Sequence, residues 1–258
     1  MARHHPRPEP QIAMELRTLT VSCPACGGDL RADYMASRTI ITLAGPMHMR
    51  LQVRRCHNVA HTGNKPCKRY FVPFRPEIEG RLALPQHAIG LDVMLRVGID
   101  IQKNAHLSVS SIYNVLINKG IKISKRSIFN AWDGFRRIID LRNDPIGWRN
   151  TKERIATEGT MILAIDDLWG NSKYMISPGT IILMRECLTS QIIDVMYPGV
   201  VVDDPIPHLA RRIRAIATEF RVPIHSVVFS ERSQWIGQAC NKELPNSPQL
   251  RYSIDENA

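Results

Sequence analysis

The sequence has no apolar run approaching the roughly 18–20 residues that span a bilayer, so no membrane-spanning helix is expected. Its start, MARHHPRPEPQ, is basic and proline-rich and lacks the apolar stretch of a secretory signal, so residues 1–15 read as a flexible arm and the protein as cytosolic. No low-complexity tract interrupts the 258 residues, and a hydrophobic share of 44% with 22% charged residues belongs to a globular chain long enough to bury a core. Acid is scarce in one region only. Residues 1–160 hold 25 Lys and Arg against 13 Asp and Glu, whereas residues 161–258 hold 9 against 11. The first part is therefore suited to a polyanion, and in the cytosol that points to nucleic acid, because each neutralised phosphate releases counterions.

Cysteine is also sparse and unevenly placed. Four of the six, Cys23, Cys26, Cys56 and Cys67, lie in the basic part, as CPAC and then CHNVAHTGNKPC. The first pair has the spacing that lets two thiolates reach one tetrahedral Zn²⁺, and Gly27-Gly28 frees the backbone for the turn. In the cytosol such a set is read as a metal site before a disulfide. A structural Zn²⁺ on the four cysteines is expected, with His57 or His61 as alternative ligands because both lie inside the wider second pair. Between the pairs, RTIITLAG and HMRLQVRRC alternate as a strand and its partner do, so residues 16–80 read as a zinc ribbon. Arg54, Arg55, Lys68 and Arg69 on its edge are candidate phosphate contacts.

From residue 81 the period changes to that of helices. AIGLDVMLRVGIDIQ, SVSSIYNVLINKG and SKRSIFNAWDGFRRIIDLR are amphipathic, with a C-cap signal at Lys119-Gly120 and an N-cap at Ser124. The short GIKI linker suits a helix-turn-helix over residues 81–150. Its third segment is then the recognition helix, with Lys125, Arg126 and Asn130 near its start to meet double-stranded DNA. Ile128, Phe129, Trp132, Phe135, Ile138 and Ile139 are assigned to the core.

From Thr160 the pattern reads strand, strand, strand, helix, strand, helix: MILAIDDLW, TIILMREC, SQIIDVMY, PIPHLARRIRAIATEF, PIHSVVFSE and RSQWIGQACNKEL. That is the order of a ribonuclease H-like core, in which acids at the ends of the first and fourth strands come together and can hold two metal ions for phosphodiester chemistry. With LAID at 163–166, RECLT at 185–189 and VVFSERSQWIGQACNKELP at 227–245, the chain resembles an insertion-sequence transposase of the DDE superfamily. The order of zinc ribbon and helix-turn-helix ahead of this region matches such transposases as well.

The resemblance implies Asp166 as the first catalytic acid and Glu231 at the second position, where the family has aspartate, with Mg²⁺ or Mn²⁺ as the metal if the site is active. Asp167 falls where the family often has glycine. The third acid of the family lies beyond the helix-ending Pro, and here PQLRYSIDENA offers only Asp255 and Glu256 in a polar tail. The resulting expectation is an α+β multidomain chain, with a C-terminal ribonuclease H-like α/β domain over 151–258 that is incomplete. It would be a nucleoid-associated, transposase-derived DNA-binding protein, with a homodimer as its candidate assembly, whose strand-transfer site lacks a ligand. The alternatives are an active transposase and a zinc-ribbon transcriptional regulator.

Overall fold

In the computed structural model, residues 9–59, 66–84, 87–103, 108–140, 145–168, 181–196 and 205–253 are described. The alternating stretch between the cysteine pairs forms a hairpin of β2 (Leu30–Thr42) and β3 (Gly45–Cys56), antiparallel from Thr42 opposite Gly45 to Leu30 opposite Cys56. Gly45 turns the chain at φ +116°, a region closed to most side chains. β1 (Ile12–Arg17) then adds parallel to the other edge of β3, and the two-residue β4 (Pro73–Phe74) pairs with Arg54 and Arg55. The arm expected over residues 1–15 thus gives way to a strand at Ile12. Alternation explains why: Leu16 turns inward to a core that Glu15 and Arg17 avoid.

A short α1 (Glu79–Leu82) leads to α2 (Leu91–Lys103), α3 (Val109–Asn118) and α4 (Lys125–Ile139). Ser108 and Ser124 cap the last two, each accepting the backbone N–H three residues on, at 3.1 and 3.0 Å. Gly120, at φ +79°, closes α3. Val93, Val97, Ile112, Leu116, Ile128 and Ala131 pack together with Ile121 and Ile123 of the turn, which fixes α4 across α3. Two residues assigned to this core are outside it: Phe129 and Ile139 are exposed, because Ile128 and Ile138 already occupy the inward stripe.

After α5 (Pro145–Glu158) come β5 (Met161–Leu168), β6 (Ile181–Glu186), β7 (Gln191–Met196), α6 (Pro205–Phe220), β8 (Ile224–Ser230), α7 (Gln234–Glu243) and β9 (Gln249–Tyr252). They form a five-stranded mixed sheet in the order β7-β6-β5-β8-β9, with β5, β8 and β9 parallel and β6 antiparallel to both neighbours. Both faces are buried. Met161, Leu163, Ile165, Ile182 and Met184 lie under α5, α6 and α7, while Ile162, Ala164, Val228 and Tyr252 pack against Ile40, Met49 and Leu51 of the first sheet. Leu168, Ile181 and Leu183 pack with Leu91, Met94 and Phe135 of the helices. Residues on both sides of positions 80 and 150 share these clusters.

A candidate metal centre and nucleic-acid interface

The hairpin returns Cys56 beside the CPAC turn, where Cys23 N–H donates to Gly28 O at 2.7 Å and Gly27 takes φ +70°. Cys67 arrives from the segment before β4, its N–H bonded to Asn58 O at 3.1 Å. The four sulfurs lie within 4.8 Å of one another, with Cys23 to Cys67 at 3.8 Å and Cys26 to Cys56 at 3.6 Å. A tetrahedron with Zn–S near 2.3 Å has edges of about 3.8 Å, so four thiolates so placed can hold a metal ion such as zinc. Burial pushes the Cys23 thiol up to about 12 and raises that of Cys56, whereas at Cys26 the Gly28 amide and the neighbouring sulfurs outweigh burial and lower it. Among the described residues this is the one group of three or more potential ligands that converges. His57 is not part of it and faces Asp33 at 3.9 Å; His61 lies outside the described residues.

The basic candidates divide into two kinds. Lys125, Arg126 and Asn130 are exposed along the first turns of α4. The ribbon residues are engaged within the chain. Arg69 is buried in an ion pair with Glu158 and stacked 5.7 Å from Phe74, while Lys68 donates to the Glu158 carbonyl. Together they hold the C-terminus of α5, where cations suit the exposed carbonyls. Arg69 is therefore removed from the surface expected to meet phosphate. Arg54 donates to Leu30 O at 3.0 Å, and Arg55 pairs with Asp33 at 3.0 Å across the hairpin.

The two acids of β5 point to opposite faces, as neighbours on a strand must. Asp166 has no exposed surface and faces the first sheet. Its Oδ2 accepts from Arg185 Nε at 2.9 Å and Nη2 at 2.7 Å, and its Oδ1 accepts from the Tyr252 hydroxyl at 2.6 Å. Burial, with Asp166 adjoining, raises the Tyr252 phenol well above its ordinary value, so it stays protonated and donates. Arg81 in turn donates to Tyr252 Oη at 2.7 Å, and Arg185 also reaches Glu77 O at 3.2 Å. A Cβ at position 80 would collide with the Arg185 guanidinium, so Gly80 is what lets it in.

Asp167 accepts from Ser233 Oγ at 2.7 Å ahead of α7, and burial raises its carboxyl. Glu231 follows β8 directly, exposed, its N–H bonded to Tyr252 O at 2.8 Å. The sheet thus brings Asp166 and Glu231 to the same end of adjacent strands. It also occupies both oxygens of Asp166. Asp255 and Glu256 lie outside the described residues. Cys187 and Cys240 are held as thiols by burial, and buried Glu186 accepts from Ile162, Leu188 and Thr189.

Arg185 entered the sequence reading only as the first residue of RECLT, with no role given to it, and Arg81 and Tyr252 were not singled out. A basic residue on a buried strand facing an acid on its neighbour was the available signal for Arg185. Tyr252 stood in what read as a polar tail. No protein-family model matches the chain, and no curated protein is similar to it in sequence at a significant level.

Proposed function

We propose that the chain is a DNA-binding protein of transposase type, which grips duplex DNA through α3 and α4 and does not by itself cut it. The observation that carries this reading is α4: a capped helix set across α3 by a buried stripe, with Lys125, Arg126 and Asn130 exposed at its start. The four-cysteine centre holds Zn²⁺ and fixes the ribbon beside it. The order β7-β6-β5-β8-β9 is that of a ribonuclease H-like sheet, and it supports the resemblance that LAID and RECLT suggested. Arg185 and Tyr252 hold the Asp166 carboxylate, so a metal ion there would have to compete with a buried guanidinium, and we take binding as the reading to test first.

The test is duplex binding measured across salt concentrations, together with nicking assays in Mg²⁺ and in Mn²⁺. Binding whose logarithm falls linearly with the logarithm of salt is expected, reduced in slope by about one for each phosphate-contacting cation removed from α4. Metal-dependent nicking that disappears in Asp166→Ala would replace this reading with that of an active transposase.

A further inference from the structure

Phe129 poses a problem that its helix does not solve. It is 54% exposed in the second turn of α4, while its neighbours Ile128 and Ala131 are fully buried. Position in the helix explains where it points. Lys125 and Phe129 are four residues apart, as are Arg126 and Asn130, so the four make one outward face. Arg136 and Arg137 extend that face with cations, Asp133 is an acid within it, and the C-cap Asp140 is another at its far end. Lys125 leans back over α3, its Nζ 3.3 Å from Ser110 Oγ and 5.6 Å from the Tyr113 ring centre, which leaves Phe129 uncovered.

An aromatic ring that shares its helix face with Arg126, Arg136 and Arg137, an amide and the acid Asp133 is better placed for a major groove than for an apolar protein partner. Phosphates answer the cations, and an amide such as Asn130 can pair with the N6 and N7 edge of adenine. The feature there that an apolar ring can recognise is the C5 methyl of thymine. We propose that Phe129 is a specificity residue that reads a thymine methyl next to the base pair met by Asn130. This rests on the helix-turn-helix reading above.

The probe is a pool of short random-sequence duplexes prepared either with dTTP or with dUTP, which differ only in that methyl. Sites bound by the full zinc-loaded chain are sequenced from each pool. The wild-type protein is expected to enrich thymine at one or two positions by about fourfold over uracil at the same positions, the worth of one buried methyl. Phe129→Ala should bring that ratio to about one while leaving the adjoining adenine preference, and Asn130→Ala should do the reverse. Both side chains are exposed, so an unchanged melting temperature will show that the fold is kept. Equal enrichment from both pools by the wild-type protein, or a thymine preference that survives in Phe129→Ala, overturns the assignment while leaving DNA binding intact. Failure of the wild-type protein to bind either pool overturns the helix-turn-helix reading itself.

Discussion

Arg185→Met isolates the contact on which most of the candidate site depends. It removes two charge-assisted hydrogen bonds to Asp166 and a third to Glu77 O, yet keeps an unbranched chain of similar reach in the slot beside Gly80. Asp166 stays where it is, with no exposed surface, the Tyr252 hydroxyl still donating to it and no counter-ion bonded to it. Leaving one member of a buried pair behind costs about 3–5 kcal/mol. For a chain of this size each kcal/mol lowers the melting temperature by about 2–4 °C, so a fall of roughly 6–20 °C is expected in calorimetry. Asp166→Asn alone should cost a similar amount, since it leaves the buried Arg185 guanidinium without its counter-ion even though an amide keeps an acceptor for Tyr252. The double variant Asp166→Asn/Arg185→Met should melt above Arg185→Met, because nothing charged is then stranded. If the two single costs simply add, Asp166 and Arg185 are not coupled, and the buried ion pair does not lock this site.

Zinc should be present at one ion per chain by elemental analysis, and Cys56→Ser should lose it and expose the ribbon to proteolysis first, since zinc binding in such sites is itself folding energy. Gly80→Ala should destabilise by about 1–3 kcal/mol, and should do so much less in an Arg185→Met background, where the colliding group is gone. Ser124→Ala should cost about 1 kcal/mol in urea unfolding by uncapping α4. His87 is held below its ordinary 6.5 by burial and by the nearby Arg137 and Arg38. The unfolded chain therefore takes up its proton first on acidification, and stability is lost as pH falls below 6.5. Urea midpoints at about pH 7.5 and about pH 5.5 should differ more for the wild-type protein than for His87→Gln, and equal differences would show that His87 contributes nothing to the pH dependence.

The hairpin, the three helices and the strand order were legible because each rests on local period: alternation in HMRLQVRRC, a 3.6-residue stripe in SKRSIFNAWDGFRRII, and runs such as MILAI that suit a strand buried on both faces. The cysteine centre was legible because CPAC carries its own turn. What escaped were elements defined by partners far along the chain. β1 and β9 are short edge strands whose pairing with β3 and β8 is written in the sheet and not in their own residues. Arg69 looked like a surface cation until the end of α5 came to rest on it, whereas Lys68 stays exposed while donating to the Glu158 carbonyl. Phe129 was assigned to the core because a helical stripe two residues wide can be drawn through either Ile128 or its neighbour, and only packing chooses between them.

The same packing decides how far Asp166 can serve as a metal ligand. To bind Mg²⁺ it must release Arg185, which strands a buried guanidinium at a cost of about 3–5 kcal/mol. A carboxylate pair that bound Mg²⁺ with a dissociation constant of about 1 mM would gain about 4 kcal/mol at the standard state. The two terms are of equal size. The apparent dissociation constant is the intrinsic one divided by the fraction of chains in the open state, so the lock weakens metal binding by roughly two to four orders of magnitude. With that assumed affinity, millimolar Mg²⁺ is expected to leave the site closed, and titration calorimetry with MgCl₂ would check it. A metal ion could reach Asp166 only in exchange for Arg185, and a Mg²⁺ titration of Arg185→Met against the wild-type protein would read that competition directly.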